Sequence, residues 1–123
     1  MKDKLTERII GCCFKVHREL GPGFNEKIDH NALKLLFDQE ALQYQTEKEF
    51  KEFEVLYLNK RMGSFRADLV VENEVIVEIK SLAGNIPALF EYQLLSYLKA
   101  SKYHLGLLIN FGNKSCQVKR AVF

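Results

Sequence analysis

Phe65-Arg66-Ala67-Asp68-Leu69-Val70-Val71-Glu72-Asn73-Glu74-Val75-Ile76-Val77-Glu78-Ile79-Lys80 is the stretch on which the fold turns. Two runs rich in β-branched and apolar residues, 65–71 and 75–80, flank the polar Glu72-Asn73-Glu74, the pattern of an antiparallel hairpin. Side chains alternate between the faces of a strand, so Glu78 and Lys80 share one face and Val77, Ile79 and Ser81 the other. On the first run Arg66, Asp68 and Val70 share a face. A turn centred on Asn73 sets Asp68 directly across from Glu78. Two carboxylates facing each other on a sheet destabilise it by up to about 1 kcal/mol, and a cation between them reverses the sign. Lys80 adds a positive charge and a movable proton. Two acids and a lysine converging on a strand face point to metal-assisted chemistry on a phosphate ester.

On the N-terminal side, Leu5, Ile9, Cys12 or Cys13, Val16 and Leu20 recur at helical spacing, so residues 3–20 read as an amphipathic helix that Gly21-Pro22-Gly23 stops. Asn25 caps a second helix, with Glu26 in its first turn and Ile28, Ala32, Leu35 and Leu36 as its apolar stripe. That helix ends near Gln39 or Glu40. Residues 43–50 and 53–59 read as two strands around a Lys51-Glu52 turn, with Phe53, Val55 and Tyr57 on one face, and 59–63 reads as a turn into the hairpin. After the hairpin, residues 84–87 lead into a third helix with Leu89 or Phe90, Gln93, Leu94, Tyr97 and Leu98 at helical spacing. The apolar run 104–110 is a buried strand, and 116–123 is a last one. The order is two helices, four strands, a helix and two strands. The crossover from the Glu78 strand to the 104–110 strand is expected to be parallel and right-handed.

The chain's 123 residues are enough for one domain with one core. A composition of 47% hydrophobic and 28% charged residues is ordinary for a globular protein. The net charge of +2 permits a nucleic-acid partner without demanding one. Cys12, Cys13 and Cys116 fit neither a zinc site nor a disulfide framework, which with a charged N-terminus lacking an apolar segment leads to the expectation of a cytoplasmic protein. No apolar stretch is long enough to span a bilayer. His17, His30 and His104 share no metal spacing and read as partly exposed structural residues. Asp29-His30 joins the site only if that end of the second helix faces it. Gly21-Pro22-Gly23 is a helix stop and no phosphate loop.

Taken together the motifs resemble the GxxExxY branch of the PD-(D/E)XK nuclease superfamily, the restriction-endonuclease-like fold. Gly23-Phe24-Asn25-Glu26-Lys27-Ile28-Asp29 corresponds to the signature that names the branch, with Asp29 where the tyrosine stands. Asp68 and Glu78-Ile79-Lys80 correspond to the superfamily's acid and Glu-x-Lys, with Ala67 in place of its proline. Glu91-Tyr92-Gln93-Leu94-Leu95 corresponds to the later glutamine motif, preceded by Phe90 where the branch often carries histidine. The strand at 105–111 corresponds as well, so the likeness is collinear over nearly the whole length. It implies an α/β fold, a restriction-endonuclease-like mixed sheet flanked by helices in a single domain over residues 1–123. It also implies Mg²⁺-dependent hydrolysis of phosphodiesters, in a superfamily that includes degenerate copies that only bind or scaffold.

Each site residue carries a role and a plainer alternative. Asp68 and Glu78 are hard oxygen ligands suited to Mg²⁺ or Mn²⁺, and the resemblance adds the Ile79 carbonyl. Lys80 orients or deprotonates the attacking water, or neutralises charge in the transition state; the alternative is a surface lysine paired with an acid. Glu26 is a further metal ligand, direct or through water, or else a first-turn acid that stabilises its helix. Gln93 orients water or touches a phosphate oxygen, or is a buried amide. Arg66 contacts phosphate from the Asp68 face, or is solvated. The reading is a metal-dependent nuclease with DNA favoured over RNA; the alternative is a catalytically degenerate nucleic-acid-binding or scaffold protein. A chain this small has little surface for holding a duplex, which makes a homodimer an expectation.

Overall fold

The computed structural model describes residues 2–47, 49 and 52–123. Its elements run α1 (Lys2–Leu20), α2 (Glu26–Gln39), β1 (Tyr44–Thr46), β2 (Phe53–Tyr57), β3 (Lys60–Phe65), β4 (Leu69–Val71), β5 (Val75–Lys80), α3 (Ala88–Ala100), β6 (Leu105–Asn110) and β7 (Gln117–Val122). Five strands form one sheet in the order β1-β4-β5-β6-β7. The β5–β6 pair is parallel and the other three pairs are antiparallel. The parallel pair is the expected crossover through α3. The mixed α/β sheet flanked by helices is consistent with the restriction-endonuclease-like fold.

Alternation along β5 builds two cores. Val75, Val77 and Ile79 pack with Leu69, Val71, Leu107 and Ile109 against Ile9, Cys13 and Val16 of α1 and Leu33 and Phe37 of α2. Ile76, on the other face, packs with Val70 and Leu108 against Leu94 and Leu98 of α3. Because both faces are covered, β6 is buried at all six positions, as its unbroken apolar run requires. Gly106 is needed where α3 lies closest: a Cβ there would stand 2.7 Å from Leu94 Cδ1.

Three strand assignments differ from the sequence reading. Residues 60–65, expected as mostly turn, form β3, so five strands precede α3. β3 pairs with β2 as a separate two-stranded ribbon, turned by Leu58 and Asn59 at φ 50° and 62°. Beside Val55 and Leu56 the register slips by one residue on the β3 side, where Met62 has no Cα partner. The strand expected from Phe65 to Val71 is interrupted, since the chain leaves the ribbon at Phe65 and enters the main sheet only at Leu69. The strand expected over 43–50 narrows to Tyr44–Thr46; Lys48, Phe50 and Lys51, and so the Lys51-Glu52 turn, lie outside the described residues.

Candidate active site

The register of β4 against β5 decides the site. Leu69 pairs with Val77, Val70 with Ile76 and Val71 with Val75. Extending that ladder by one position sets Asp68 opposite Glu78. The backbone then ties each acid to the facing strand: Asp68 N–H donates to Glu78 Oε1 at 3.2 Å, and Ile79 N–H donates to Asp68 Oδ2 at 2.8 Å. Asp68 is half-buried and Glu78 is only 7% exposed.

The electrostatics follow from that burial. Desolvation, reinforced by the charge of Asp68 and a side-chain hydrogen bond with it, pushes the Glu78 carboxyl up to about 9, against the opposing pull of Lys80. Glu26, in the first turn of α2, is raised by burial and by Asp68 and lowered by Lys80. The second helix therefore does deliver Glu26 to the neighbourhood of the hairpin acids. Ser81, on the opposite face from Lys80, ties the end of β5 to the start of α2 by donating its hydroxyl to the Phe24 carbonyl at 2.9 Å. Asn25 caps α2 as its sequence predicts, its Oδ1 accepting from Ile28 N–H at 3.0 Å.

Lys80 leans over the Phe90 ring of α3, its Nζ 4.3 Å from the centroid. A cation over an aromatic face is held with about 0.5–1 kcal/mol at partly exposed sites. Among the described residues Lys80 forms no ion pair within 4 Å, so the alternative of a lysine paired with Glu78 or Asp68 does not describe it.

A cleft of about 490 Å³ opens between α2 and the edge of the sheet, lined among others by Glu26, Lys27, His30, Lys34, Asp68 and Ile79. His30 thus meets the condition the sequence set for it. Burial lowers its pKa and the charge of Asp68 opposes that shift. Its buried Nε2 has no hydrogen-bond partner among the described residues. Asp29, one position earlier, turns the other way: it is 1% exposed, and neither carboxylate oxygen has a partner among the described residues. Burial raises its pKa, with His17 opposing. His17 is buried, against the expectation of partial exposure, because its ring stacks on Phe111 and its Nε2–H donates to the Asn113 carbonyl at 2.7 Å.

Two predicted residues lie away from the cleft. Arg66 donates to the Glu47 carbonyl at 3.0 Å and pairs with Glu52 at 3.6 Å. Gln93 is exposed on α3 and lines a groove with Met62, Phe65 and Tyr97. The core stripe of α3 is carried by Leu94 and Leu98, which leaves Gln93 on the solvent side. Tyr97, read as part of the apolar stripe, is a neighbour of the acids that the sequence did not reveal. Burial raises its pKa, and the charges of Glu78 and Asp68 add to that. It lies flat on Phe65, with ring centroids 3.9 Å apart.

The donor chemistry fits a small divalent cation. Among the described residues no three His, Cys, Asp or Glu side chains are arranged to hold one ion. Mg²⁺ is commonly held by only one or two carboxylates while it keeps several waters, and two hard carboxylates pressed together supply that number. The residues able to hold it are Asp68, Glu78 and the Ile79 carbonyl.

No helix among the described residues is long and apolar enough to cross a membrane. The family model of the PD-(D/E)XK nuclease superfamily matches residues 3–121. No curated protein and no solved structure matches the chain. Nucleases of that superfamily act on nucleic acid and generally use divalent metal ions. With an acid pair and a lysine gathered at the end of β5 inside a match that leaves out only a few terminal residues, the chain belongs to the PD-(D/E)XK nuclease superfamily.

Proposed function

We propose that the protein is a metal-dependent nuclease of the GxxExxY branch that hydrolyses phosphodiester bonds, with DNA as the favoured substrate and Mg²⁺ or Mn²⁺ as the cofactor. One observation carries the reading: Asp68, which lines the α2 cleft, is tied to Glu78 across the β4–β5 strand end, two residues before Lys80. The bound ion supplies Lewis acidity at the phosphate and a lowered pKa for its water. Asp68, Glu78 and the Ile79 carbonyl would hold the ion, with Glu26 a further ligand, direct or through water. Lys80 Nζ, steered by Phe90, orients the attacking water and offsets charge on the phosphate in the transition state. Gln93 and Arg66 serve substrate beyond this centre; Arg66 is free to do so only after leaving the Glu47 carbonyl and Glu52, the latter an exposed pairing of about 0–1 kcal/mol.

The test is cleavage of labelled single- and double-stranded DNA and RNA by the purified chain with Mg²⁺ or Mn²⁺. Asp68→Ala and Lys80→Ala are each expected to abolish cleavage. Undiminished activity in both variants removes this site from consideration.

A second reading, a non-catalytic binding protein on the same fold, is favoured by Asp29, a buried carboxyl where the branch signature has tyrosine. Calorimetric titration with Mn²⁺ separates the two. Heat that disappears in Asp68→Ala supports the nuclease, whereas nucleic-acid binding without metal uptake supports the binding protein.

A further inference from the structure

One face of α2 does no packing work. Asp29, Leu33 and Phe37 are the buried positions of that helix. Glu26, Lys27, His30, Asn31 and Lys34 all line the cleft instead. At 100° per residue these five cover about 140° of the helix circumference, beginning at the edge of the buried stripe, which Glu26 overlaps. Lys27 is exposed and Lys34 half-buried, and among the described residues neither is within ion-pair distance of an acid. Seven residues of helix separate them by about 10 Å, so the two ammonium groups can reach different phosphates of one strand. Asp68 and Ile79 form part of the same cleft. His30 is there too, with a buried Nε2 that has no partner among the described residues.

We infer that this face of α2 is the track for the sugar-phosphate backbone of the strand being cut. Lys27 and Lys34 take phosphates on either side of the one presented to Asp68, and Asn31 and His30 meet the backbone between them. Glu47, on the opposing wall with Thr46, repels a phosphate and pushes the strand toward the helix. The assignment rests on the nuclease reading for its substrate. It goes further in naming the residues that hold that substrate, none of which carries a catalytic step.

The test is fluorescence-anisotropy titration of the full chain with labelled single-stranded and duplex oligonucleotides in EDTA, from 25 to 200 mM KCl. Each neutralised phosphate contributes a slope of about 0.7 on single strands and about 0.9 on duplex in log K against log salt. Lys27→Gln/Lys34→Gln is expected to flatten the slope by about 1.4 or about 1.8 respectively. The exposed pair Lys114→Gln/Lys119→Gln is expected to leave it unchanged, and circular dichroism checks that both variants fold. Equal slopes in wild type and the α2 variant overturn the assignment. So does an equal loss in the control pair or an absence of wild-type binding at 25 mM KCl. Parallel cleavage assays in Mg²⁺ keep the two readings apart. Cleavage that survives unchanged in the α2 variant overturns the track and leaves the nuclease standing, whereas a flattened slope without any cleavage keeps the track on a protein that only binds.

Discussion

Asp68 and Glu78 are locked to each other through the backbone of the facing strand, Glu78 Oε1 on the Asp68 amide and Asp68 Oδ2 on the Ile79 amide. The fold thus holds two acids together in a mostly buried place, and burial first, with the charge of Asp68 second, raises the Glu78 carboxyl to about 9.

That linkage gives the metal-free protein an unusual pH profile. Glu78 binds its proton more tightly folded than unfolded, so unfolding releases a proton between about pH 4.5 and about 9. Its contribution to stability is fully present below that window and is lost as pH rises through it. Thermal unfolding in EDTA is expected to give a lower midpoint at pH 8.5 than at pH 6. Glu78→Gln flattens the decline, because the amide stays neutral. Saturating Mn²⁺ stabilises the wild type at pH 8.5, by about 2.7 kcal/mol at a hundred times Kd, and leaves Glu78→Gln unmoved. A midpoint that rises with pH in EDTA contradicts the proton-holding pair.

Asp29 is a second buried carboxyl, without any partner among the described residues. Its pKa is raised by burial, so its ionisation also costs the fold more as pH increases. Asp29→Asn keeps the shape and removes the charge. The variant is expected to melt higher than wild type at pH 8 and close to it at pH 4. A uniform loss across that range points instead to a hydrogen bond that the carboxylate makes and the amide does not.

The parts of this fold that were legible are those where burial imprints a period. Alternation in 75–80 and a polar turn centred on Asn73 fixed the Asp68–Glu78 register, and Asn25 announced the start of α2. β3 was not legible because Lys60-Arg61-Met62-Gly63-Ser64 lies in a ribbon exposed on both faces, where no core selects an apolar alternation. Tyr97 was hidden for the opposite reason: a tyrosine on an apolar helical stripe looks the same whether it fills the core or borders two acids. Lys27 and Lys34 carried no signal in the sequence, since only the placement of α2 beside the sheet edge puts them in one cleft with Asp68. Arg66 was assigned to the Asp68 face on the assumption of an unbroken strand, and the break at 66–68 removes that geometry.

The ribbon's turn carries strain that can be relieved. Leu58 and Asn59 both have positive φ, and Leu58 is 78% exposed. Turns of this kind favour Asn and Gly, and a non-glycine residue in the left-handed region costs about 1 kcal/mol. Leu58→Gly is expected to stabilise the protein by about 0.5–1 kcal/mol in urea unfolding, with the urea dependence unchanged. Destabilisation means that the leucine packs on something in solution.

The segment after Lys80 offers the sharpest link between packing and the site. Asn110 is fully buried, accepts from the amides of Leu82 and Gly112 at 2.8 and 3.0 Å, and donates to the Leu82 carbonyl at 3.0 Å. The Lys80 carbonyl accepts from Phe111 N–H at 2.9 Å. A Cβ at Gly112 would overlap the backbone of Leu82, so the loop can lie this close only against glycine. Gly112→Ala is expected to cost about 1–3 kcal/mol through forced displacement of that loop. Asn110→Ala is expected to cost about 3 kcal/mol through the buried backbone groups it leaves unpaired. Both changes act on the backbone that carries Lys80, so cleavage should fall further than the loss of folded protein accounts for. Normalising activity to the folded fraction from circular dichroism checks this, and a full recovery of specific activity on normalisation shows that the clamp supports the fold alone.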